Sequence, residues 1–434
     1  MQVHPNSNPG IKSELMLFDV PLTQQQIVGQ YLTKYSPFST ISETQFTFQI
    51  PESNDWTDLS RSHIQLTLEL ECTPSTPGDP ANWNVALVND VLNSLFSKID
   101  VSLNGTMVSD SNPYSSYKSV LSHLVAAPWE AKKTHLRLRG YYEDSAQGSA
   151  SNDDNAGWKW RKELTSDGKK ATLIGPINSE FFQQPRPLIP RVPMTVVFHR
   201  NENNWVLFKS SDNNKTYKIT ISNPELHIRR LKIDPEYSLA LEEALQSDNV
   251  RYPIVKQNIN TIHLAANGQN FSLPNLHQGK LPKSIYCVFV SDKNMQSNDS
   301  VNPYEFSSFD IQQFTAYVDQ DIVPGTPIHF SNNGSFNSEA YKTLLDSVLP
   351  TQSAERGIGI SLDDYFKKNK CVIALDLSAD PANKGYNRVR QGTLRFDLQF
   401  SKPLTEAICL ILLELYDQVV EISSNRTVIR DFSI

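Results

Sequence analysis

Four oxygen-bearing side chains alternate in one short stretch, with the spacing of the early ligands in a calcium-binding loop: Asp292, Asn294, Gln296 and Asn298. Such a loop also needs a glycine at its sixth position and a bidentate acid at its twelfth. Ser297 stands where the glycine belongs, and Pro303 stands where the acid belongs. The sequence therefore does not favour a calcium site here.

Two further stretches match nucleotide-binding loops only in part. Gly357 and Gly359 lack the third glycine of a dinucleotide-binding motif, and residues 323–327 (VPGTP) lack the Lys-Ser/Thr of a phosphate-binding loop. Residues 323–327 are better predicted as a turn. Asp363 and Asp364 are adjacent, so on a strand their carboxylates would point to opposite faces, which is poor geometry for a catalytic pair.

The chain has nine histidines, and none stands in the spacing of a zinc motif. His63 begins an alternating strand and His199 ends one, so structural roles are favoured for both. There is no G-x-S-x-G sequence that would place a nucleophilic serine on a strand-turn-helix. We therefore assign no catalytic, cofactor-binding or metal-ligating residue, expect no cofactor, and predict that the protein is not an enzyme.

Composition indicates a globular protein rich in β-structure. Of the 434 residues, 39% are hydrophobic and 20% are charged, while aromatics reach 10% and prolines number 26. The length suggests two or three domains. The net charge of −7 argues against strong direct binding to nucleic acid, because such binding needs a basic surface.

Targeting signals are not evident in the sequence. The first residues lack the basic and apolar regions of a secretory signal, and the aliphatic run at 407–413 is too short for a membrane span. We expect reduced, buried thiols in a protein synthesised in the cytosol, because the four cysteines include no C-x-x-C pair: Cys72, Cys287, Cys371 and Cys409.

The predicted secondary-structure elements that would position a site occur twice in the sequence. YKSVL at 117–121 and YKTLL at 341–345 lie 224 residues apart, close to half the chain length. Each copy follows an alternating strand, a tight turn and a return strand, and each begins the apolar stripe of a predicted helix. Asn104-Gly105 makes the first turn and Asp319-Gln320 makes the second.

The flanks of both copies hold short alternating strands, about eight in each half, separated by polar loops. This density of strands is typical of a sandwich or a barrel, and an eight-stranded double-sheet sandwich is a jelly roll. The sequence thus predicts an all-β fold of two tandem eight-stranded jelly-roll sandwiches, a double jelly roll, with short loop helices. The predicted parts are an N-terminal arm (1–23), a first jelly roll (24–235), a linker helix (236–252) and a second jelly roll (253–434).

Two loop segments of the first half carry further expectations. Residues 143–157 are small and polar after Tyr142, which predicts an exposed, mobile loop. The basic run at 131–139 (AKKTHLRLR) predicts a solvated surface or a subunit contact, with nucleic-acid contact as the less favoured alternative.

Longer stretches resemble a known protein family. Residues 17–37 (LFDVPLTQQQIVGQYLTKYSP), 44–51 and 55–70 resemble the start of major capsid proteins from Polinton/Maverick elements and related adintoviruses. Residues 276–294 and 302–325 resemble the same family in the second half. The matching positions there are Gly279, Leu281, Pro282, Asn302, Pro303 and Phe306. Gln320 replaces the glycine usual in the turn after Tyr-Val-Asp, which leaves the type of that turn in doubt.

The resemblance implies a structural major capsid protein. It implies a hexon-like homotrimer, pseudo-hexagonal in outline, that tiles an icosahedral shell around double-stranded DNA and contacts neighbouring capsomers and penton or minor capsid proteins. The implied location is the virion, with assembly in the host nucleus or cytoplasm. Candidate residues for subunit contacts are the tryptophans of loop-like sequence: Trp56, Trp83, Trp129, Trp158, Trp160 and Trp205.

Two alternatives remain open. A carbohydrate-binding, lectin-like β-sandwich would stack exposed tryptophans on sugars, and a sandwich-fold glycosidase would need two facing carboxylates that the sequence does not nominate. A penton-type minor capsid protein is a nearer alternative, although that role usually needs a single jelly roll.

Overall fold

The computed structural model describes residues 17–18, 20, 23–74, 83–109, 112–145, 151–210, 215–296, 299–332, 335–349, 357–367, 369–378, 386 and 388–431. Most of the predicted N-terminal arm therefore lies outside the described residues. The strands are β1 (Ile27–Tyr35), β2 (Gln45–Ile50), β3 (Trp56–Thr73), β4 (Val85–Leu87), β5 (Phe96–Leu103), β6 (Thr106–Met107), β7 (Ala171–Pro176), β8 (Met194–Arg200), β9 (Leu207–Lys209), β10 (Thr216–Ile233), β11 (Val250–Leu264), β12 (Asn270–Lys280), β13 (Ser284–Ser291), β14 (Ile311–Val318), β15 (Asp321–His329), β16 (Ser331–Asn332), β17 (Ser335–Phe336), β18 (Ile373–Asp376), β19 (Gln391–Phe400), β20 (Ile408–Ile422) and β21 (Val428–Asp431).

Short helices connect the strands. They are α1 (Val91–Ser94), α2 (Ser115–Ala126), α3 (Trp129–Lys133), α4 (Ala156–Glu163), α5 (Glu180–Gln183), α6 (Pro235–Ser247), α7 (Asp292–Met295), α8 (Glu339–Val348) and α9 (Leu362–Lys367), with 3-10 turns at His135–Arg139, Ser166–Gly168 and Asn203–Trp205.

The first half consists of two antiparallel four-stranded sheets. One has the strand order β1-β10-β3-β7 and the other has the order β2-β8-β5-β6. Alternation explains the layers, because successive side chains of a strand point to opposite faces. Leu66 and Leu68 of β3 are fully buried, while Gln65 and Thr67, which alternate with them, are half-buried on the outer face. Phe46 and Phe198 stack between the sheets with ring centroids 5.4 Å apart.

The second half repeats the topology strand for strand. Its sheets have the orders β11-β20-β13-β18 and β12-β19-β14-β15, and β21 adds to the free side of β20 beyond the main path. The eight principal strands are β1, β2, β3, β5, β6, β7, β8 and β10 in the first half and β11, β12, β13, β14, β15, β18, β19 and β20 in the second. Counted in chain order, the first, eighth, third and sixth of these strands form one sheet in both halves. The second, seventh, fourth and fifth strands form the other sheet. The predicted double jelly roll is confirmed.

The repeated pentamers occupy equivalent places in the two halves. Asn104 and Gly105 both have positive φ, as a two-residue hairpin turn requires, and they join β5 to β6. Helix α2 then carries YKSVL, before the sixth strand of the first half. Helix α8 carries YKTLL between the fifth and sixth strands of the second half. The match therefore marks one structural unit used twice.

The two halves are joined by α6 and share a packed boundary. Asp234 caps α6 by accepting a hydrogen bond from the Glu236 backbone at 3.0 Å, and Pro235 follows at the first helical position. A cluster of buried apolar side chains includes residues of α2, α4, β4 and β9 together with the sheet of β11, β20 and β13. The domain boundaries at 24–235, 236–252 and 253–434 stay a prediction.

Candidate functional site: the contact between the two jelly rolls

Tyr117 of α2 lies at the centre of the contact between the jelly rolls. Its side chain is fully buried, and its hydroxyl donates a hydrogen bond of 2.9 Å to the carbonyl of Pro303 in the second jelly roll. Its ring lies 5.4 Å from Tyr304 and 5.7 Å from Trp205, edge to face in both pairs. Burial raises the pKa of the Tyr117 hydroxyl well above its usual value, so this group stays protonated and donates.

The second copy of the pentamer is less covered than the first. Tyr341 of α8 is half-buried and donates a hydrogen bond of 2.7 Å to the carbonyl of Ile360. Lys118 of the first copy forms a buried ion pair with Glu180 at 3.0 Å, whereas the side chain of Lys342 in the second copy is 65% exposed. The chain thus covers helix α2 with its own second jelly roll and leaves the equivalent helix partly open.

A buried polar network lies beside α2. Asp90 lies 3.0 Å from His123 Nδ1, and it also accepts hydrogen bonds from Asn93 and Ser119. Burial alone would raise the pKa of Asp90, but His123, with Arg139 and Asn93, outweighs that effect and lowers it. Arg139 donates to His123 Nε2 at 2.7 Å, so Nδ1 is the ring nitrogen that faces Asp90. The network holds helix α2 in place, and every group in it is used structurally.

The segment 143–157 is only in part the exposed loop that was expected. Among its described residues, 145, 152–154 and 156 are exposed, whereas Asn155 and Gly157 are buried. Arg161 is almost fully buried and donates to the backbone of Leu87 at 2.8 Å, to the backbone of Tyr142, and to the Asp144 carboxylate at 2.8 Å. Asn155 accepts from the Trp158 backbone, which caps α4. Asp144 is therefore the partner of a buried guanidinium, a pairing that local composition does not reveal.

The basic run 131–139 is also only in part the solvated surface that was expected. Lys132 is buried, and its ammonium donates to the carbonyl of Gly359 in the second jelly roll. Burial lowers the pKa of Lys132 to about 8. Gly359 must be a glycine, because a Cβ there would lie 2.4 Å from the Ala127 carbonyl oxygen. Gly359 thus serves close packing between the halves, whereas Gly357 is exposed with open space around it, so the two glycines do not act as a dinucleotide-binding pair.

The tryptophans divide between inside and outside. Trp158 is fully buried and donates a hydrogen bond of 3.0 Å to the Phe208 carbonyl, so it is not a subunit contact. Trp205 packs against Tyr117 within the chain. Trp160 is 53% exposed, and its ring stacks on Tyr142 with centroids 5.4 Å apart. Four tryptophans are half-buried: Trp56, Trp83, Trp129 and Trp205.

The calcium-like alternation does not form a loop. Asp292 begins α7, so Asp292 and Asn294 lie on a helix, and Asn298 is outside the described residues. The Asp292 carboxylate lies 3.0 Å from Nδ1 of His263. Nothing in the sequence predicted this partner, because His263 lies on β11 and Asp292 begins α7, 29 residues later.

Residues 323–327 and the pair Asp363 and Asp364 are placed differently from the sequence prediction, whereas His63 and His199 are placed as expected. Residues 323–327 were expected to form a turn, but they lie inside β15, where a register shift against β14 accommodates them. Asp363 and Asp364 lie in the first turn of α9, where Asp364 is buried 4.0 Å from Lys370, so they are not on a strand. His63 stacks on His227 at 4.7 Å, and His199 lies 2.9 Å from Asp100, as expected for structural histidines.

Across the described part of the chain, helices are too short or too polar to cross a bilayer. The apolar strand β20 holds residues 408–413 of the aliphatic run, and all six are buried in the hydrophobic cluster that the two halves share.

Comparisons with known proteins identify the fold. No family model and no curated protein sequence matches the chain. A chain in the cryo-EM structure of the Sputnik virophage is similar, with a TM-score of 0.70 and 14% identity, over 99% of this chain and 94% of that one. The mavirus major capsid protein has a TM-score of 0.59 at 12% identity, over 100% of this chain and 97% of that one. A chain of the PBCV-1 virus capsid has a TM-score of 0.59 at 9% identity, over 96% of this chain and all (100%) of that one.

Proposed function

We propose that the protein is a structural major capsid protein, not an enzyme, whose function is to assemble with copies of itself into a trimeric capsomer. The observation that carries the proposal is the twofold use of one unit, with the first pentamer helix covered inside the chain and the second left half-open. The likeness of the whole chain to the mavirus major capsid protein and to a chain of the PBCV-1 capsid supports the same conclusion.

The contact inside the chain is heterologous. The helix side of the first jelly roll, carrying α2, packs on the outer face of the sheet of β11, β20 and β13. An equivalent pair of surfaces remains available: the helix side of the second jelly roll, carrying α8, and the outer face of the sheet of β1, β10 and β3. Heterologous contacts generate a ring if the rotation between units closes. Three chains then give six jelly rolls around one axis.

The two available surfaces differ from the internal ones in chemistry. The outer face of the first sheet is half-buried and polar, with Gln65 and Thr67 on β3 and Thr220 on β10. Strand β1 at its edge leaves Val28 68% exposed and Leu32 46% exposed. A contact between chains would therefore be more polar than the contact within a chain, with an apolar margin along β1. A stable contact of this kind typically buries about 2,000–5,000 Å².

The wider proposal places the trimers in an icosahedral virion shell around double-stranded DNA, beside penton or minor capsid proteins. The resemblance of residues 17–70 and 276–325 to Polinton/Maverick and adintovirus capsid proteins supports this assignment. The net charge of −7 supports a shell whose subunits do not themselves neutralise the DNA. Assembly would take place in the host nucleus or cytoplasm.

The first test is the solution mass of the full chain by light scattering at low micromolar concentration. Three chains of 49.0 kDa give 147 kDa, and we expect this species to survive dilution. Shells seen by electron microscopy at higher concentration would extend the result to the virion. A monodisperse 49.0 kDa monomer would contradict the trimer and turn attention to sugar binding through Trp160.

The second test locates the contact. Asp346→Cys on α8 and Thr67→Cys on β3 place thiols on the two surfaces that would meet. With a bifunctional maleimide, we expect the double variant to give covalent dimers and trimers on a denaturing gel. Each single variant is the matched control and should stay monomeric on the gel. Equal cross-linking in the singles and the double would contradict this arrangement.

A further inference from the structure

Three side chains with different donor atoms meet at one end of the sheet of β11, β20 and β13. His263 is the direct cross-strand partner of Cys409, and Asp292 follows the end of β13 with its backbone N–H bonded to the Ala407 carbonyl at 3.1 Å. The imidazole Nδ1, the carboxylate oxygen and the thiol sulfur all lie within 4.8 Å of one another. Within the described residues, this is where nitrogen, oxygen and sulfur donors converge.

We propose that His263, Asp292 and Cys409 form a binding site for a zinc-like divalent metal ion. Zn²⁺ takes imidazole, carboxylate and thiolate ligands at roughly 2.0–2.3 Å in a tetrahedron, which requires donors about 3.6 Å apart. The 3.0 Å between His263 Nδ1 and Asp292 is already close to that separation. Three protein ligands leave the fourth position for water, and the thiolate disfavours Ca²⁺ and Mg²⁺.

The site formed by the three side chains is accessible to solvent on one side. The His263 side chain is 65% exposed and that of Asp292 is 25% exposed, so the ion enters from solvent between them. The Cys409 side chain is fully buried, and its sulfur lies 3.8 Å from the Leu410 carbonyl and within hydrogen-bonding reach of the Ile262 backbone. The site thus has an open side and a closed end.

Cys409 binds a metal ion as the thiolate, so its S–H proton leaves to solvent as the metal–sulfur bond forms. His263 would bind through the lone pair of Nδ1, the ring nitrogen that faces Asp292, with the ring proton on Nε2. Because the thiol proton is released on binding, we expect the affinity for the metal to increase with pH.

The position of the site gives it a structural consequence. Asp292 begins α7, and the chain continues to Pro303, whose carbonyl accepts the hydrogen bond of Tyr117. A metal ion would tie the ends of three strands to the segment that contacts the first jelly roll. We therefore expect the metal to raise the melting temperature of the full chain.

The test uses the full chain stripped with a chelator, then titrated with Zn²⁺ by calorimetry and with Co²⁺ by absorption spectroscopy. We expect one ion per chain and a thiolate-to-cobalt charge-transfer band, independently of whether the protein forms trimers. Cys409→Ser should abolish the band, and His263→Ala should weaken binding by at least about tenfold. Asp292→Asn, which changes a partly exposed residue, covers the case in which Cys409→Ser fails to fold.

A double variant of Cys72→Ser and His135→Ala is the matched control. It removes a half-buried free cysteine and an exposed histidine elsewhere, and it should keep both the band and the stoichiometry. Absence of stoichiometric binding to the wild-type chain at about 100 µM ion would overturn the proposal. So would a band that survives Cys409→Ser or Asp292→Asn unchanged.

Discussion

The hydroxyl of Tyr117 in the first jelly roll donates a hydrogen bond of 2.9 Å to the carbonyl of Pro303 in the second. The counterpart of this tyrosine in the repeated pentamer, Tyr341, bonds to Ile360 within its own jelly roll. One chemical group thus serves two purposes: in the first copy it joins the halves of the chain, and in the second it secures a local loop.

Tyr117→Phe should destabilise the protein more than Tyr341→Phe. Removing the Tyr117 hydroxyl leaves a buried carbonyl without its donor, which costs about 1–3 kcal/mol, whereas Tyr341 is half-buried and water can replace it. The measurement is the free energy of unfolding in urea, and Tyr341→Phe is the control. Equal losses in the two variants would contradict a special role for the contact between the halves.

Trp158→Ala should be severely destabilising, while Trp160→Ala should not. Trp158 is fully buried and its indole N–H bonds to the Phe208 carbonyl, so truncation leaves a cavity and costs about 3–5 kcal/mol of unfolding free energy. Trp160 is 53% exposed and stacks on Tyr142, a contact of about 0.5–1.5 kcal/mol. Thermal unfolding of the two variants side by side measures the difference, and a similar shift in both would contradict the assignment of Trp158 to the interior.

Arg161→Met should cost about 3–5 kcal/mol, because it leaves the partly buried Asp144 carboxylate and two backbone carbonyls without their shared donor. Arg161→Lys should recover part of the loss, since an ammonium keeps the charge but not the planar fork. Asp153→Asn is the control, because it removes the neighbouring ion pair between Asp153 and Lys162. The Asp153 side chain is 62% exposed, so this change should cost less than about 1 kcal/mol of unfolding free energy. Urea unfolding of the three variants makes the comparison, and a near-neutral Arg161→Met would contradict the buried role.

Lys132 should make stability rise with pH in a defined window. Its pKa is 10.5 when unperturbed and about 8 in the fold. Between these two values the unfolded chain binds more protons than the folded chain, so the free energy of unfolding increases as pH rises, and below about pH 8 this contribution is flat. Lys132→Met removes the titrating group. The difference between the wild-type and variant curves should therefore grow from about pH 8 to 10, and the buried tyrosines common to both proteins cancel. A constant difference over that range would refute the shifted pKa.

The sequence by itself determined the repeated unit. Alternation in β3 and β5, the Asn104-Gly105 turn and the apolar stripes of the two pentamer helices are local patterns with periods of two and 3.6 residues, and the structure confirms each of them. About eight such strands in each half predicted the jelly-roll class and its duplication, whereas the strand order came only from the structure.

Only the tertiary structure decided which polar residues are buried and with whom. Lys132 and Asn155 belong to stretches that look like solvated surface in sequence, yet both are buried. Lys132 bonds to the distant Gly359, and Arg161 just beyond the polar segment bonds to the distant Leu87. His263, Asp292 and Cys409 are brought together by the pairing register of three strands. Local sequence encodes the conformation of the backbone, whereas the neighbours of a side chain depend on long-range strand pairing that no local pattern specifies.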